Sequence, residues 1–395
     1  MRLEFIIGSI VAVALGIGSV LVFLNSRDLG DVAAPLEIET ADALAMDVAP
    51  IEVGSVPTQV PATSPQPSEA AKKARQFKRS PELVSPDGYI NTKGEPITIG
   101  EFRGKKVVLI DIWTYSCINC ERTLPYLKDW YSKYSDKGLE IIGVHTPEFA
   151  FEKLLKNVQS AVDEDGIKYP VILDNAYKTW NAFGNQYWPR KYLIDIDGYI
   201  VFDHAGEGAY AETERAIQKA LAERAERLGL SIDTNMPISQ KGGLSESDLR
   251  RVQSPETYFG AERNDRFGNG LLWSEGEQTL AIPSTLKQNA FYLSGTWNIH
   301  PEYATNKTAG AYIKYIYNAR SVYFVASAET AIKIKVTRDG KPLGDARGED
   351  VNGSGEVVIQ KNGLYKLVED ADYGMHTLEI FIENPGLQAY TFTFG

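Results

Sequence analysis

The sequence predicts three consecutive parts: an N-terminal transmembrane helix, an α/β domain and an all-β domain. Residues 5–24 contain no charged side chain. Between Ser85 and Leu228, apolar β-branched segments alternate with segments whose apolar residues recur at helical spacing. After Pro255, short β-branched or alternating segments follow one another, separated by turn residues. A chain of 395 residues is long enough for two or three domains, in agreement with this division.

Residues 1–27 are predicted to anchor the chain in the cell membrane by a single span. A helix of about twenty uncharged residues covers a hydrocarbon core of about 30 Å. A cleaved signal peptide is the alternative, but its apolar region is shorter and ends at a small-x-small site, which this run lacks. An anchor here predicts that the bulk of the chain lies on the extracytoplasmic or periplasmic side. The net charge of −11 argues against binding of nucleic acid.

Composition divides the rest of the chain. Residues 28–80, rich in Ala, Pro, Ser and Thr, are predicted to form a disordered tether that ends in the basic stretch KKARQFKRS. Residues 81–229 form the predicted α/β domain, and residues 230–253 a linker. Residues 254–395 are predicted to form a β-sandwich or jelly roll, because many short strands are separated by turns.

Two apolar runs in the α/β domain have the composition of buried strands, Lys105–Trp113 and Leu139–His145. The segment CERTLPYLKDWYSKY places apolar side chains at helical spacing between them. Asp197 and Gly198 lie between two further runs and indicate a hairpin. The order β-α-β-α-β-α-β-β-α predicts a mostly parallel sheet with one antiparallel hairpin.

Cys117 and Cys120 are the only two cysteines. A disulfide between them would close a very small loop and stabilise the fold little. A structural zinc site needs about four ligands, and none of the four histidines lies at ligand spacing from the pair. Redox chemistry needs only two sulfur atoms. We therefore expect a redox pair, with no metal and no cofactor.

The position of the pair at a helix start assigns the two roles. The preceding strand ends near Trp113, and the helix is expected to begin at or just after Cys117. The unpaired N–H groups and the positive end of the helix dipole favour a thiolate at Cys117, the attacking species in thiol–disulfide exchange. Cys120, one turn further and buried, is then the resolving thiol.

These residues resemble the thioredoxin superfamily, because Asp111, Trp113, Cys117, Cys120 and Pro125 reproduce its pattern D-x-W-x-x-x-C-x-x-C-x-x-x-x-P. The resemblance implies a thioredoxin-like fold in which the buried Asp111 helps to move the proton of Cys120.

The same family places a cis-proline opposite the cysteines, and WPRKYLIDIDGYI fits that element in the form found in the TlpA-like branch. By this resemblance Trp188 and Pro189 form the wall against which a substrate backbone lies. Tyr115 is a candidate for an aromatic rim beside it.

The segments WTYSCINC, GVHTPEFAFEK, TWNAFGNQYWP and GEGAYAETE resemble the C-terminal periplasmic part of DipZ-type proteins. Such proteins usually carry a multi-helix, electron-conducting membrane domain, whereas this chain has one hydrophobic segment. The resemblance therefore implies a separate membrane electron donor, such as a CcdA-like protein. It also implies a carbohydrate-binding-module-like second domain and a possible glycan ligand. Aromatic residues that fit a sugar-binding surface are Trp273, Tyr292, Trp297, Tyr303, Tyr312, Tyr315 and Tyr317. A sandwich core also needs aromatic residues, so a purely structural or partner-docking role is the alternative.

Two residues after the second buried strand, His145 and Glu148, should reach the same sheet edge as Cys117, since sites of open α/β sheets gather there. They are candidates for tuning Cys117 or touching a partner. A satisfied histidine and a helix N-terminal glutamate are the alternative.

The leading functional hypothesis is a thiol–disulfide oxidoreductase that acts on protein disulfides, as a reductant by the TlpA-type resemblance. A thiol peroxidase using Cys117 is a second hypothesis, since Thr114 supplies a T-x-x-C element; Ile110 occupies the position where its proline is expected. A non-catalytic protein that binds glycan or a partner is the third.

Overall fold

The computed structural model describes residues 69–241 and 251–395. The predicted anchor, residues 1–27, and most of the predicted tether lie outside these ranges. No helix within the described ranges is long and apolar enough to cross a membrane.

Six strands form the sheet of the α/β domain: β1 (Gly88–Ile90), β2 (Val107–Trp113), β3 (Leu139–His145), β4 (Val171–Leu173), β5 (Arg190–Ile194) and β6 (Ile200–Ala205). Their spatial order is β1-β4-β3-β2-β5-β6. The β2–β3 and β3–β4 pairs are parallel, whereas the other three pairs are antiparallel. The prediction of a mostly parallel sheet was therefore wrong. The reason is that an apolar run indicates burial of a strand but not its direction.

Five helices accompany this sheet: α1 (Glu69–Gln76), α2 (Ile118–Tyr134), α3 (Leu155–Glu164), α4 (Lys178–Phe183) and α5 (Tyr210–Leu228). The buried face of α2 carries Leu124, Leu127, Trp130 and Tyr134, all at most 3% exposed. These residues recur at intervals of three or four, so the helical period of the sequence is reproduced. α2 begins directly after Cys117, which confirms the predicted helix start.

Residues 69–80 were assigned to the tether, but the structure places α1 and a short strand-like contact there. The Lys73 ammonium lies 2.6 Å from Asp195 and 3.0 Å from Asp197, and it also contacts Glu223. Arg79 forms a β-bridge with Tyr199, within the connection from β5 to β6. These ion pairs and the bridge hold α1 against the α/β domain.

The second domain is all-β, as predicted. Its strands are β7 (Thr257–Tyr258), β8 (Gly276–Leu280), β9 (Phe291–Ile299), β10 (Ala304–Asn306), β11 (Ala311–Ser327), β12 (Ile332–Arg338), β13 (Lys341–Pro342), β14 (Glu356–Ile359), β15 (Gly363–Ile382) and β16 (Gln388–Phe394). All their pairings are antiparallel. β11 pairs with β9 near its start and with β16 near its end. The strands therefore form one hydrogen-bonded network that folds back on itself.

The aromatic residues of this domain serve mainly as core. Tyr315 and Tyr317, two residues apart on β11, share one face of that strand and are fully buried, as is Trp297. Tyr312 lies on the opposite face and is 39% exposed, and Trp273 is 58% exposed. The surface proposed for sugar stacking is thus reduced to scattered exposed rings.

Candidate redox site

The two cysteines lie at the N-terminus of α2. Cys117 is the N-cap residue, with extended backbone geometry, and its carbonyl accepts the N–H groups of Cys120 and Glu121, each at 3.0 Å. Cys117 is half-buried, and Cys120 is 2% exposed. Both are free thiols. Burial raises the pKa of the Cys120 thiol well above its usual value, and the neighbouring Cys117 raises it further. The outer sulfur is therefore accessible, and the inner one is kept protonated until a base accepts its proton.

A buried carboxyl and a buried ammonium lie behind Cys120. Asp111 on β2 and Lys191 on β5 are register partners, and they are 1% and 0% exposed. Burial raises the pKa of Asp111 to about 7, although the charge of Lys191 opposes the increase. Burial also lowers the pKa of Lys191. The charge of Asp111 contributes to the raised pKa of Cys120, so the three groups interact electrostatically. A carboxyl with a pKa near 7 can take up or release a proton at neutral pH.

A cis peptide bond joins Trp188 to Pro189, directly before β5. The Trp188 indole N–H donates to the carbonyl of Thr146, 3.0 Å away, in the loop that follows β3. The Pro189 carbonyl accepts the N–H of Gly206 at 2.8 Å. Because β5 pairs with β2, Pro189 is positioned at the sheet edge where β2 leads into the cysteine loop.

His145 is part of an aromatic cluster. Its ring stacks on Tyr115, with centroids 5.6 Å apart, and meets the edge of Trp113 at 5.2 Å. The ring is fully buried, and burial lowers the pKa of His145 to about 3. His145 is therefore a neutral packing residue near pH 7. In residues 69–241 and 251–395, neither cysteine forms a hydrogen bond with it, and a tuning role stays a prediction.

Glu148 points to the β domain. Its carboxylate accepts from Arg263 at 2.7 Å and from the hydroxyl of Tyr258 at 2.8 Å. The Arg263 guanidinium also lies over the Tyr258 ring, 3.7 Å from its centroid. This cluster joins the loop after β3 to the start of the β domain. Glu148 thus has a structural partner, and its tuning role also stays untested.

Besides this polar cluster, apolar side chains of the β domain contact the segment around the loop that carries Cys117. Tyr390 on β16 packs edge-on against Phe149 and Phe151, with ring centroids 5.0 Å and 4.9 Å away. Phe151 in turn contacts Tyr115, two residues before Cys117. The cysteine loop and the β domain therefore share one apolar cluster.

Glu152 was not predicted, although it fixes the residue next to Cys117. Its buried carboxylate accepts from the hydroxyl of Ser116 at 2.6 Å and from the Ser116 N–H at 3.3 Å. It also accepts the N–H groups of Glu148 and Phe149. Burial raises the pKa of Glu152 to about 7. One carboxylate thus ties the cysteine loop to the loop after β3.

The sequence did not predict the roles of Lys191 and Glu152, and only Lys191 has a feature in the sequence that could have indicated it. It stands directly before an apolar strand run, YLI, and after the predicted cis-proline. A lysine is almost never fully buried without a partner, so a partner on the neighbouring strand could have been sought. Glu152 lies in the segment FEKLLK, where nothing marks it as buried.

The fold and this site define a class: a thioredoxin-like domain with a two-cysteine redox site at the start of α2, opposite a cis-proline. Comparison with known proteins agrees. The family model described as Redoxin matches residues 69–221, and the one described as thioredoxin-like C-terminal domain matches residues 254–395. The thiol-disulfide oxidoreductase ResA of Bacillus anthracis is 32% identical over 142 residues, which cover 36% of this chain and 76% of ResA. The chain belongs to the thioredoxin superfamily, to the family of thiol-disulfide oxidoreductases that includes ResA.

A longer match joins both domains. Protein DipZ of Mycobacterium tuberculosis is 37% identical over 331 residues, which are 83% of this chain and 44% of DipZ. The chain thus spans less than half the length of the DipZ proteins it matches. A solved structure described as a thioredoxin-like protein in the oxidized form aligns with 37% of this chain and 97% of its own, at 26% identity and a TM-score of 0.34.

Proposed function

We propose that this protein is a membrane-anchored, extracytoplasmic thiol–disulfide oxidoreductase that reduces disulfide bonds in client proteins. The observation that carries the proposal is the half-buried Cys117 at the N-terminus of α2, with the buried Cys120 one turn behind it beside Asp111. The relative ResA, a thiol-disulfide oxidoreductase, supports the same reaction class.

In the first step, the Cys117 thiolate attacks one sulfur of the client disulfide. A bond forms between Cys117 and that sulfur, the client disulfide breaks, and the second client sulfur leaves as a thiolate. The helix dipole and the unpaired N–H groups at the start of α2 stabilise negative charge at Cys117. Trp188, Pro189 and Tyr115 supply the surface on which the client backbone lies.

In the second step, Cys120 resolves the mixed disulfide. Asp111 takes the Cys120 proton, directly or through one water, and the new thiolate attacks the Cys117 sulfur. The client leaves as a second thiolate, reduced by two electrons, and the protein retains a Cys117–Cys120 disulfide. The charge of Lys191 lowers the pKa of Asp111 toward neutral, so Asp111 is partly ionised and able to accept a proton.

Two electrons and two protons must then return to the protein. We propose that a separate membrane protein supplies them from a dithiol, as a CcdA-like protein does. The uncharged run at residues 5–24 supports an anchor that keeps both proteins at one membrane.

Insulin reduction with dithiothreitol as electron source tests the activity. Wild type should accelerate precipitation of the insulin chains, whereas Cys117→Ser should not differ from the reagent alone. Without dithiothreitol, reduced Cys120→Ala should retain a mixed disulfide with insulin, visible as a mass increase that added reductant removes. Equal behaviour of wild type and Cys117→Ser would end the proposal.

Two further measurements test the direction of electron transfer and the alternative peroxidase activity. Equilibration of the Cys117–Cys120 couple with glutathione should give a potential near about −270 mV for a reductant, whereas about −120 mV would indicate an oxidant. Reaction of Cys117 with hydrogen peroxide should be no faster than that of an ordinary thiol; a much faster reaction would favour a peroxidase.

A further inference from the structure

A cleft of about 510 Å³ lies between the α/β domain and the β domain. One wall is formed by α2 and α3, and the other by the turn between β14 and β15 with the first residues of β15. Its volume falls within the range of sites that hold small molecules or peptide side chains, roughly 300–1,000 Å³. The cleft exists only because the β domain is attached.

Four acidic side chains line this cleft. Glu121, Glu164, Asp165 and Asp350 line it, and the only cation among its lining residues is Lys361, which pairs with Glu164 at 2.6 Å. Within the described residues, the side-chain carboxyl of Glu121 forms neither a hydrogen bond nor an ion pair. Burial and the charge of Asp165 raise the pKa of Glu121 to about 8. With a pKa of about 8, Glu121 is mostly protonated near pH 7, so the negative charge that the lining residues leave unneutralised lies on Asp165 and Asp350.

A second, independent feature of the cleft is an unsatisfied hydroxyl. Tyr115 lines it, is only 9% exposed, and its buried hydroxyl has no hydrogen-bond partner in residues 69–241 and 251–395. The side chain of Asn157 approaches that hydroxyl, but its amide donates to the Phe151 carbonyl at 2.8 Å. Buried polar groups are normally hydrogen-bonded, so this hydroxyl points to a missing ligand.

The cleft adjoins the reacting sulfur. Tyr115 precedes Cys117 by two residues, and the Glu121 N–H donates to the Cys117 carbonyl at 3.0 Å. Residues four apart lie on the same face of a helix, about 5–6 Å between Cβ atoms. A chain whose disulfide is attacked by Cys117 therefore passes the mouth of the cleft.

We propose that this cleft binds lysine or arginine side chains of the client next to the disulfide, so that the protein selects disulfides in basic segments. The inference rests on the proposed function and names its substrate class. Tyr115 offers an acceptor oxygen to such a donor, and the carboxylates offer charge. A metal ion fits less well: in the described residues, the one group of three or more His, Cys, Asp or Glu close enough to hold an ion is Asp195, Asp197 and Glu223, away from the cleft.

Three peptide disulfides test the inference. Each is a homodimer of one short cysteine peptide, with two Lys, two Gln or two Glu beside the cysteine. The reduced protein is mixed with excess peptide, and its remaining thiols are alkylated and weighed over time. We expect oxidation by the Lys peptide about tenfold faster than by the Gln peptide at low salt, since clefts of one charge sign accelerate association by 10–10³. In about 1 M salt, where screening acts over about 3 Å, the ratio should approach one.

Asp350→Asn tests the contribution of the β domain, because Asp350 lines the cleft from that domain and is distant in sequence from Cys117. It should lower the Lys-to-Gln rate ratio at least twofold, and Asp165→Asn with Asp350→Asn should bring the ratio close to one. Asp136→Asn is the matched control, since Asp136 follows α2 at its far end and is 73% exposed. That control should keep the wild-type rates.

The outcomes separate this inference from the proposed function. If wild type is oxidised equally fast by all three peptides, the cleft does not select basic clients, while the redox activity stands. The same conclusion follows if the charge variants keep the wild-type ratio. If the peptides oxidise wild type no faster than they react with the remaining thiol of Cys117→Ser, the proposed function itself fails.

Discussion

Replacing Asp111 by Asn removes one buried ionisable group and should change the stability of the protein in a pH-dependent way. The ordinary pKa of an aspartate is 3.8, and burial raises that of Asp111 to about 7. Each tenfold change in proton affinity is worth about 1.36 kcal/mol, so ionised Asp111 destabilises the fold by roughly 4 kcal/mol above pH 7. This value already includes the attraction to Lys191, which opposes the increase. We expect Asp111→Asn to raise the free energy of unfolding by about 2–4 kcal/mol at pH 8.

The sign of the pH dependence follows from proton binding. Between pH 3.8 and about 7 the folded state holds a proton on Asp111 that the unfolded state has released. The stability of wild type therefore falls as pH rises through this window, and the variant lacks that contribution. The difference between the two proteins should shrink to about 1 kcal/mol at pH 4.5.

Unfolding in guanidinium chloride, followed by tryptophan fluorescence on the reduced protein at both pH values, measures this difference. The same variant should resolve mixed disulfides at least about 100-fold more slowly, because a positioned base contributes roughly 10²–10⁴ in rate. Asp136→Asn, at an exposed site, should show neither effect. A stability difference that is the same at pH 4.5 and pH 8 would refute the reasoning about Asp111.

Three further changes address the neighbours of the site. Lys191→Met removes the cation that lowers the pKa of Asp111, so the pH at which resolution becomes fast should move above 7 in a pH–rate profile. An unchanged profile would show that Lys191 does not control the protonation of Asp111. Glu152→Ala removes the acceptor of four hydrogen bonds and should lower the free energy of unfolding by about 2–4 kcal/mol, and Glu152→Gln by less, as denaturant titration would show. Arg263→Ala leaves the carboxylate of Glu148 without its cation and should cost about 1–3 kcal/mol in the same titration, whereas Arg263→Lys should recover part of it; equal losses would rule out the ion pair as the cause.

The features that local sequence determines were predictable. A helix start at the cysteine pair follows from a strand, a short loop and apolar residues at helical spacing, and the structure begins α2 at Ile118. The burial of β2 and β3 follows from their apolar runs, and all seven residues of each are buried. The cis bond before Pro189 was expected from family resemblance alone, and it is present.

The features that depend on contacts between distant segments were not predictable in the same way. Lys191 becomes the partner of Asp111 only because β5 runs antiparallel beside β2, and the sequence pattern does not report strand direction. Glu152 is buried because the β domain covers the loop in which it lies, through Tyr390. Likewise, an alternating strand predicts two faces but not which face another layer covers, so the sequence left open whether the rings of β11 are core or surface.

The ion pairs of Lys73 decide at which pole of the α/β domain α1 lies. The turn after β5, which holds Asp195 and Asp197, lies beside the first residues of β2, whereas Cys117 follows its last residue. α1 is therefore fastened at the pole of the domain opposite Cys117, and its ion pairs leave the surroundings of that sulfur uncovered.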